Sequence, residues 1–357
     1  MKKIVGLILT ALVAILLVYL LLWPVPIEPD AWTPPDISPL AGVYEENNHL
    51  AAVELLGEGA GYAPEDVAFD AEGRLYAGME NGHIIRFAGD GTNPELFADT
   101  GGRPLGMVFD ANGALIVADA FKGLLSITRD GAITVLTNEV NGQPIRFAND
   151  LDIAADGTIF FSDASTRFSV DEFMLDIMEH RPNGRLLVFD PSSGSTRLVL
   201  DQLYFANGIA ISPDQSFVLV VETTKYRVRR HWLEGPDRGQ TDIFIENLPG
   251  VPDNITSNGK DTFWLALVQG PPIRQTLDPL LPRPFVRKVI LRLPEALSPA
   301  PVPFGFVLGL DTDGKVRHNL QDPTGESYDQ ITSVTEHDGM LYLGSFVEDS
   351  IGRLPVP

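Results

Sequence analysis

The fold is decided by Ala148 to Ser162, ANDLDIAADGTIFFS, and by the five other places where the same pattern returns. A short apolar run leads into a polar turn carrying Asp and Gly, and a second apolar run follows. That is the signature of a β-hairpin. The counterparts are PEDVAFDAEGRLYAG from Pro64, PLGMVFDANGALIVA from Pro104, ANGIAISPDQSFVLV from Ala206, PDNITSNGKDTFWLA from Pro252 and YDQITSVTEHDGMLYLG from Tyr328. The residues opening the first strands are Val67, Met107, Leu151, Ile209, Ile255 and, with two residues of ambiguity, Ile331. The first four intervals are 40, 44, 58 and 46 residues. One hairpin recurring at that spacing is the mark of propeller blades with loop insertions. The expected fold is therefore all-β, a six-bladed β-propeller over residues 40–357. Blade five is lengthened by a proline-laden insertion, Gly270 to Pro303. A strand near His49 to Leu56 should pair with the last blade, because a propeller must protect its end strands. Helix is expected only around Val170 to Glu179 and Arg274 to Leu281.

Ahead of the propeller, Ile4 to Trp23 is a run of twenty residues without a charge, enough helix to span a bilayer. Lys2 and Lys3 precede it, and Glu28 and Asp30 follow. The positive-inside rule then leaves the N-terminus in the cytoplasm and exports the propeller, to the periplasm in a bacterium and to the lumen or cell exterior otherwise. The competing reading is a cleaved signal peptide, whose apolar core is shorter and ends in small residues. Here the run ends LLLWPVPIEPD, which favours an uncleaved, single-pass anchor over residues 1–23. Residues 24–39, PVPIEPDAWTPPDISP, are proline-rich and suit a semi-rigid polyproline stalk.

The chain of 357 residues has no cysteine and a formal charge of -22. Disulfides and thiolate metal sites are excluded. Nucleic acid and anionic lipid surfaces are poor partners, since both repel such a charge. The acidity is either a solvated surface or, in part, a cluster around a cation, and composition does not separate the two.

The repeat does. The first strand of each blade lines the central channel, so equivalent positions form a ring. Two residues before each strand anchor stand Glu65, Leu105, Asn149, Asn207, Asp253 and, less surely placed, Asp329. Asn and Asp are common at strand starts, where they satisfy nearby backbone groups. Oxygen-bearing side chains in four blades at one register are harder to explain that way. Two carboxylates and two amides suit a hard cation, Ca2+ before Mg2+, and the lack of His or Cys disfavours zinc and copper. One position along, Asn254 is a candidate fifth ligand, and Asp66 and Asp150 are candidates for a second, structural ion.

At these residues the chain resembles a known family. RFANDLDIAADGTIFFSD (Arg146 to Asp163), NGRLLVFDP (Asn183 to Pro191), FANGIAISPD (Phe205 to Asp214) and WLEGPDRGQTDIFIENLPGVPDNI (Trp232 to Ile255) resemble strictosidine-synthase-like proteins. The likeness extends to their adipocyte plasma-membrane-associated type, which also starts with an anchor, within a superfamily that includes paraoxonases and gluconolactonases. The resemblance implies a catalytic calcium at the channel mouth held by Glu65, Asn149, Asn207, Asp253 and, in the paraoxonase pattern, Asn254. Two departures accompany it. No glutamate lies between Glu246 and Glu295, which counts against a strictosidine-type condensation. The place of the paraoxonase blade-two histidine is taken by Leu105 in RPLGM. His180, at the end of the first candidate helix, is expected to be a surface or packing residue.

The expected activity is calcium-dependent hydrolysis of a small lactone or aryl ester. The ion would polarise the carbonyl, with Asp253 as general base or nucleophile. The alternatives are phosphotriester hydrolysis at the same site and a non-catalytic, calcium-stabilised propeller that binds a partner.

Overall fold

The computed structural model describes residues 2–294 and 302–357, so residues 295–301 of the blade-five insertion lie outside the described residues. Six four-stranded antiparallel sheets are present among the described residues. The inner strands are Val67–Phe69, Pro104–Phe109, Ala148–Ile153, Ala206–Ile211, Val251–Ser257 and Ile331–His337. Each lies against the inner strands of both neighbouring blades, and the sixth returns to the first. The ring is closed as expected: Glu54–Leu56 is the outer strand of blade six, pairing antiparallel with Ile351–Pro355.

The recurring polar turns have a physical cause. In blade one Asp70 Oδ1 accepts the N–H groups of Glu72 and Arg74 at 3.1 and 2.9 Å. In blade two Asp110 Oδ1 does the same for Asn112 and Ala114 at 2.9 and 2.8 Å. The carboxylate thereby closes a turn whose backbone groups have no strand partner. The glycine of each turn takes a left-handed φ, 75° at Gly73 and 79° at Gly113, which a side chain would disfavour.

Blade six corrects one expectation. Its hairpin uses a tight turn at Asp338 and Gly339, both at positive φ, between the paired residues His337 and Met340. The shorter turn shifts the frame. Ile331 pairs with Ser345 and Val334 with Leu343, across a bulge. Blade three has Ala148 opposite Asp163 and Leu151 opposite Phe161, also across a bulge. The equivalent of Leu151 is therefore Val334, not Ile331, and the ring position is Thr332, not Asp329. Thr332 is fully buried, and its hydroxyl donates to the Glu65 carbonyl at 2.7 Å.

The core lies between blades. Phe217, Leu219, Phe263, Leu265, Phe306 and Leu308 belong to the largest cluster among the described residues, between blades four and five. Full burial of such a side chain contributes about 1.5–3 kcal/mol.

Among the described residues four α-helices accompany the sheets: α1 Lys2–Leu22, α2 Phe173–Glu179, α3 Pro271–Leu277 and α4 Pro284–Ile290. The sequence anticipated α2 and α3 but not α4. Helix α1 is 21 residues long with mean hydropathy 3.0, long and apolar enough to cross a membrane, and none of its side chains is buried in the protein.

Residues 24–39, expected to form a stalk, lie along the propeller. Ile27 is buried with Phe168 and Met178. Asp30 N–H donates to the Glu179 carbonyl and Trp32 N–H to that of Leu281, both at 3.2 Å. Arg167, Arg181 and Asn247 donate to the carbonyls of Pro26, Glu28 and Asp36, and three buried arginines of the blade-five insertion add further bonds here and at the end of α1. Arg292 donates to Trp23 O and Leu20 O at 2.7 and 2.8 Å, capping the last turn of α1. Arg287 donates to Asp30 O, and Arg274 to Pro35 O at 3.1 Å. A proline-rich strand without a sheet has carbonyls to spare, and guanidinium groups fill them.

Candidate active site at the channel mouth

The ring positions are Glu65, Leu105, Asn149, Asn207, Asp253 and Thr332, all buried. Their placement is held from behind. The second strand of blade three ends in Asp163, fully buried and paired with Arg185 at 2.8 Å. Asp163 Oδ1 accepts the N–H of Phe147 at 2.9 Å, two residues before Asn149. Glu222 in blade four repeats the device: paired with Arg227, it accepts the N–H of Tyr204 at 3.0 Å, ahead of Asn207. Each asparagine thus lies at the start of a strand whose entry is fixed by a buried carboxylate paired with an arginine.

Three of the expected ligands, Glu65, Asn207 and Asp253, come close to one another. Asn207 Nδ2 donates to Asp253 Oδ1 at 2.5 Å and to Thr223 Oγ1 at 3.2 Å, joining blades four and five. Burial pushes the Asp253 carboxyl well above its usual range, and the nearby Glu65 charge pushes it further, against the hydrogen bond from Asn207. Blades five and one therefore bring two carboxylates within electrostatic reach of each other. Glu65 is also raised by burial, with Arg103 opposing. Among the described residues the Oδ1 atoms of Asn149 and Asn207 are buried with no donor, and both polar atoms of the Asn254 side chain are buried without a partner. A buried amide oxygen without a donor is costly, and several in adjoining blades call for a ligand or a water.

The next register position runs Asp66, Gly106, Asp150, Gly208, Asn254, Ser333. Asp66 Oδ2 accepts the Met107 N–H of blade two at 2.9 Å, and Asp150 Oδ2 the Ile209 N–H of blade four at 2.7 Å. The glycines make room: a Cβ at Gly106 would strike the Asp150 carboxylate, and one at Gly208 would lie 2.7 Å from the Asn254 Cα. Burial raises Asp66 to about 6. It raises Asp150 well above its range, with the Asp66 charge adding to the effect. Among the described residues Asp66 Oδ1 has no hydrogen-bond partner.

One wall of the mouth is apolar. Leu105 packs with Ala120, Phe147, Ala164 and Phe205, and Val170, Phe173 and Ile177 lie over them. The position of the paraoxonase histidine is therefore part of a hydrophobic wall. His180 is a packing residue and not a surface one: it is 1% exposed, stacked on Trp32 with ring centroids 4.6 Å apart. Burial, then the charges of Lys225 and Arg287, lower it to about 3, so it stays neutral. Arg103, Thr223 and Thr332 were missed by the sequence reading. The first two lie outside the aligned register position, and the third was hidden by the frame shift in blade six.

Among the described residues no three His, Cys, Asp or Glu side chains form a metal-sized group. The ring instead offers two carboxylates and amide oxygens, a donor set for a hard, oxygen-seeking cation.

Fold and ring together define a six-bladed propeller with a polar, oxygen-lined channel mouth. Two family models match the chain, strictosidine synthase over residues 149–236 and the N-terminal part of strictosidine synthase-like proteins over residues 42–87. The adipocyte plasma membrane-associated protein of Rattus norvegicus is 36% identical, covering 92% of this chain and 93% of its own. Its Homo sapiens counterpart is also 36% identical, covering 92% and 84%. Strictosidine synthase-like protein 10 of Arabidopsis thaliana is 36% identical over 90% of this chain and 91% of its own. The chain belongs to the family of adipocyte plasma membrane-associated and strictosidine synthase-like proteins. Among solved structures, a gluconolactonase from Xanthomonas campestris superposes with TM-score 0.62 at 18% identity, covering 94% of this chain and 99% of its own. A calcium-binding regucalcin from Agrobacterium tumefaciens gives 0.56 at 15%, covering 87% and 93%. At such identity these two speak to the fold alone.

Proposed function

We propose that this protein is a membrane-anchored, calcium-dependent hydrolase of small lactones or aryl esters, acting at the channel mouth. The observation that carries the proposal is the ring itself: two buried carboxylates and two donorless amide oxygens from four blades at one register. Glu65, Asn149, Asn207, Asp253 and Asn254 would hold the ion, and Asp66 and Asp150 a second, structural one. Calcium would supply Lewis-acid polarisation of the substrate carbonyl.

The chain's own residues supply the rest. Asp253 is the proton acceptor for the attacking water, a buried carboxylate at the ring held in place by its blade-four neighbour. Asn207 orients it through the 2.5 Å bond to Oδ1. The wall of Leu105, Phe147 and Phe205 favours the apolar body of an ester and excludes water from the leaving side. Gluconolactonase and calcium-binding propellers on the same fold support the reading. Phosphotriester hydrolysis would use the same groups.

A second reading has its own observation. Asp66 and Asp150 tie adjacent blades through backbone N–H groups, so an ion there would brace the propeller without chemistry.

Asp253→Asn separates the two readings, because an amide still coordinates calcium but loses its basicity. Turnover of lactone, aryl ester and phosphotriester panels should fall by at least about a hundredfold, with calcium binding only modestly weaker. Wild-type turnover no higher than that of the calcium-loaded variant leaves the bracing role alone.

A further inference from the structure

Arg103 stands immediately before the inner strand of blade two and is 5% exposed. Its Nη2 donates to Glu65 Oε2 at 3.1 Å. Its Nη1 lies 3.7 Å from Glu80 Oε1, on a side chain that is 58% exposed. The Phe346 ring centroid is 5.9 Å from the guanidinium carbon, a cation–π shelf for the same group. A permanent positive charge is therefore shared between a buried ring carboxylate and an exposed carboxylate outside it.

We propose that Arg103 is the ring's built-in counter-cation: it competes with a divalent ion for Glu65 and shifts onto Glu80 as the ion binds. The inference rests on the reading of the ring as a calcium site. A guanidinium does not deprotonate, so it cannot be neutralised to make way. Two carboxylates set against one arginine and one divalent ion leave the buried group with an excess of positive charge. In a poorly solvated setting that repulsion is large at contact distance. Moving the guanidinium towards Glu80 and solvent relieves it, and the short Nη1–Oε1 separation makes the move a small one. Calcium affinity is set by ligand charge, so an arginine on a ligand carboxylate tunes it downwards.

The test is calorimetric titration of chelator-stripped, detergent-solubilised full-length protein with Ca2+. Arg103→Met should bind calcium at least about tenfold more tightly than wild type, because a full charge beside the ion is gone. Its melting temperature in chelator should fall below wild type, since Glu65 and Asp253 then repel each other without a counter-charge. Glu80→Gln should bind calcium about threefold more weakly, and should have no effect when combined with Arg103→Met. If Arg103→Met binds calcium no more tightly than wild type, the counter-cation role is overturned while the calcium site stands. If neither binds calcium, both fall. Should Arg103→Met fail to fold, an unchanged affinity in Glu80→Gln overturns the proposal by itself.

Discussion

Replacing Arg287 with Met tests whether the strap of residues 24–39 is held by buried charge or merely rests on the surface. Arg287 is fully buried and donates to four carbonyls: Met178 at 2.8 Å, Glu179 at 3.2 Å, Leu281 at 3.0 Å and Asp30. Two of these concern the strap directly, Asp30 on it and Leu281, which also accepts the Trp32 N–H. At about 1.5 kcal/mol for each charge-assisted bond, local stability of the strap falls by about 3 kcal/mol. That is on the order of a hundredfold in the local opening constant. Methionine keeps much of the apolar stem, so the loss is mainly one of hydrogen bonds. The assay is hydrogen–deuterium exchange on the detergent-solubilised protein. Amide protection at Asp30 and Trp32 should drop on the order of a hundredfold, while the Phe263–Gln269 strand stays protected. Protection at both amides within about threefold of wild type would refute the idea that Arg287 clamps the strap.

Asp176 on α2 gives a pH signature. Burial raises it to about 6 from 3.8, against hydrogen bonds from Ser165 and Asn183. A raised folded pKa stabilises below the unfolded value and is lost as pH rises through the folded one. Between pH 5 and 8 the wild type should therefore lose about 1.4 kcal/mol that Asp176→Asn does not, read as the difference between their thermal shifts at the two pH values. An equal shift in both proteins removes Asp176 from the titration. The anchor makes a topological prediction: α1 should remain in the mature protein with the propeller exported, so protease added outside intact cells or vesicles of matching sidedness should digest the propeller and spare α1. A soluble mature protein beginning near Pro24 to Asp30 would sink it.

Much of this protein was legible in one dimension because a propeller writes its three-dimensional repeat into the chain. Blade anchors at Val67, Met107, Leu151, Ile209 and Ile255 fell on inner strands, and the register two positions earlier marked Glu65, Asn149, Asn207 and Asp253 as facing one channel. Local chemistry sufficed there, since alternation along a strand and the turn aspartates depend only on neighbours in sequence. The apolar run of α1 was readable for the same reason. What the chain alone did not reveal came from contacts between distant residues. The blade-six frame depended on a two-residue turn that moved the ring position to Thr332. Arg103 reached Glu65 across a blade boundary, and no spacing rule links those two residues. The strap docks because Arg274 and Arg287, 239 and 257 residues along the chain from Pro35 and Asp30, supply donors to carbonyls that its own sequence leaves unpaired. Such pairings are decided by the closed ring, which brings together groups whose separation along the chain carries no information about their separation in space.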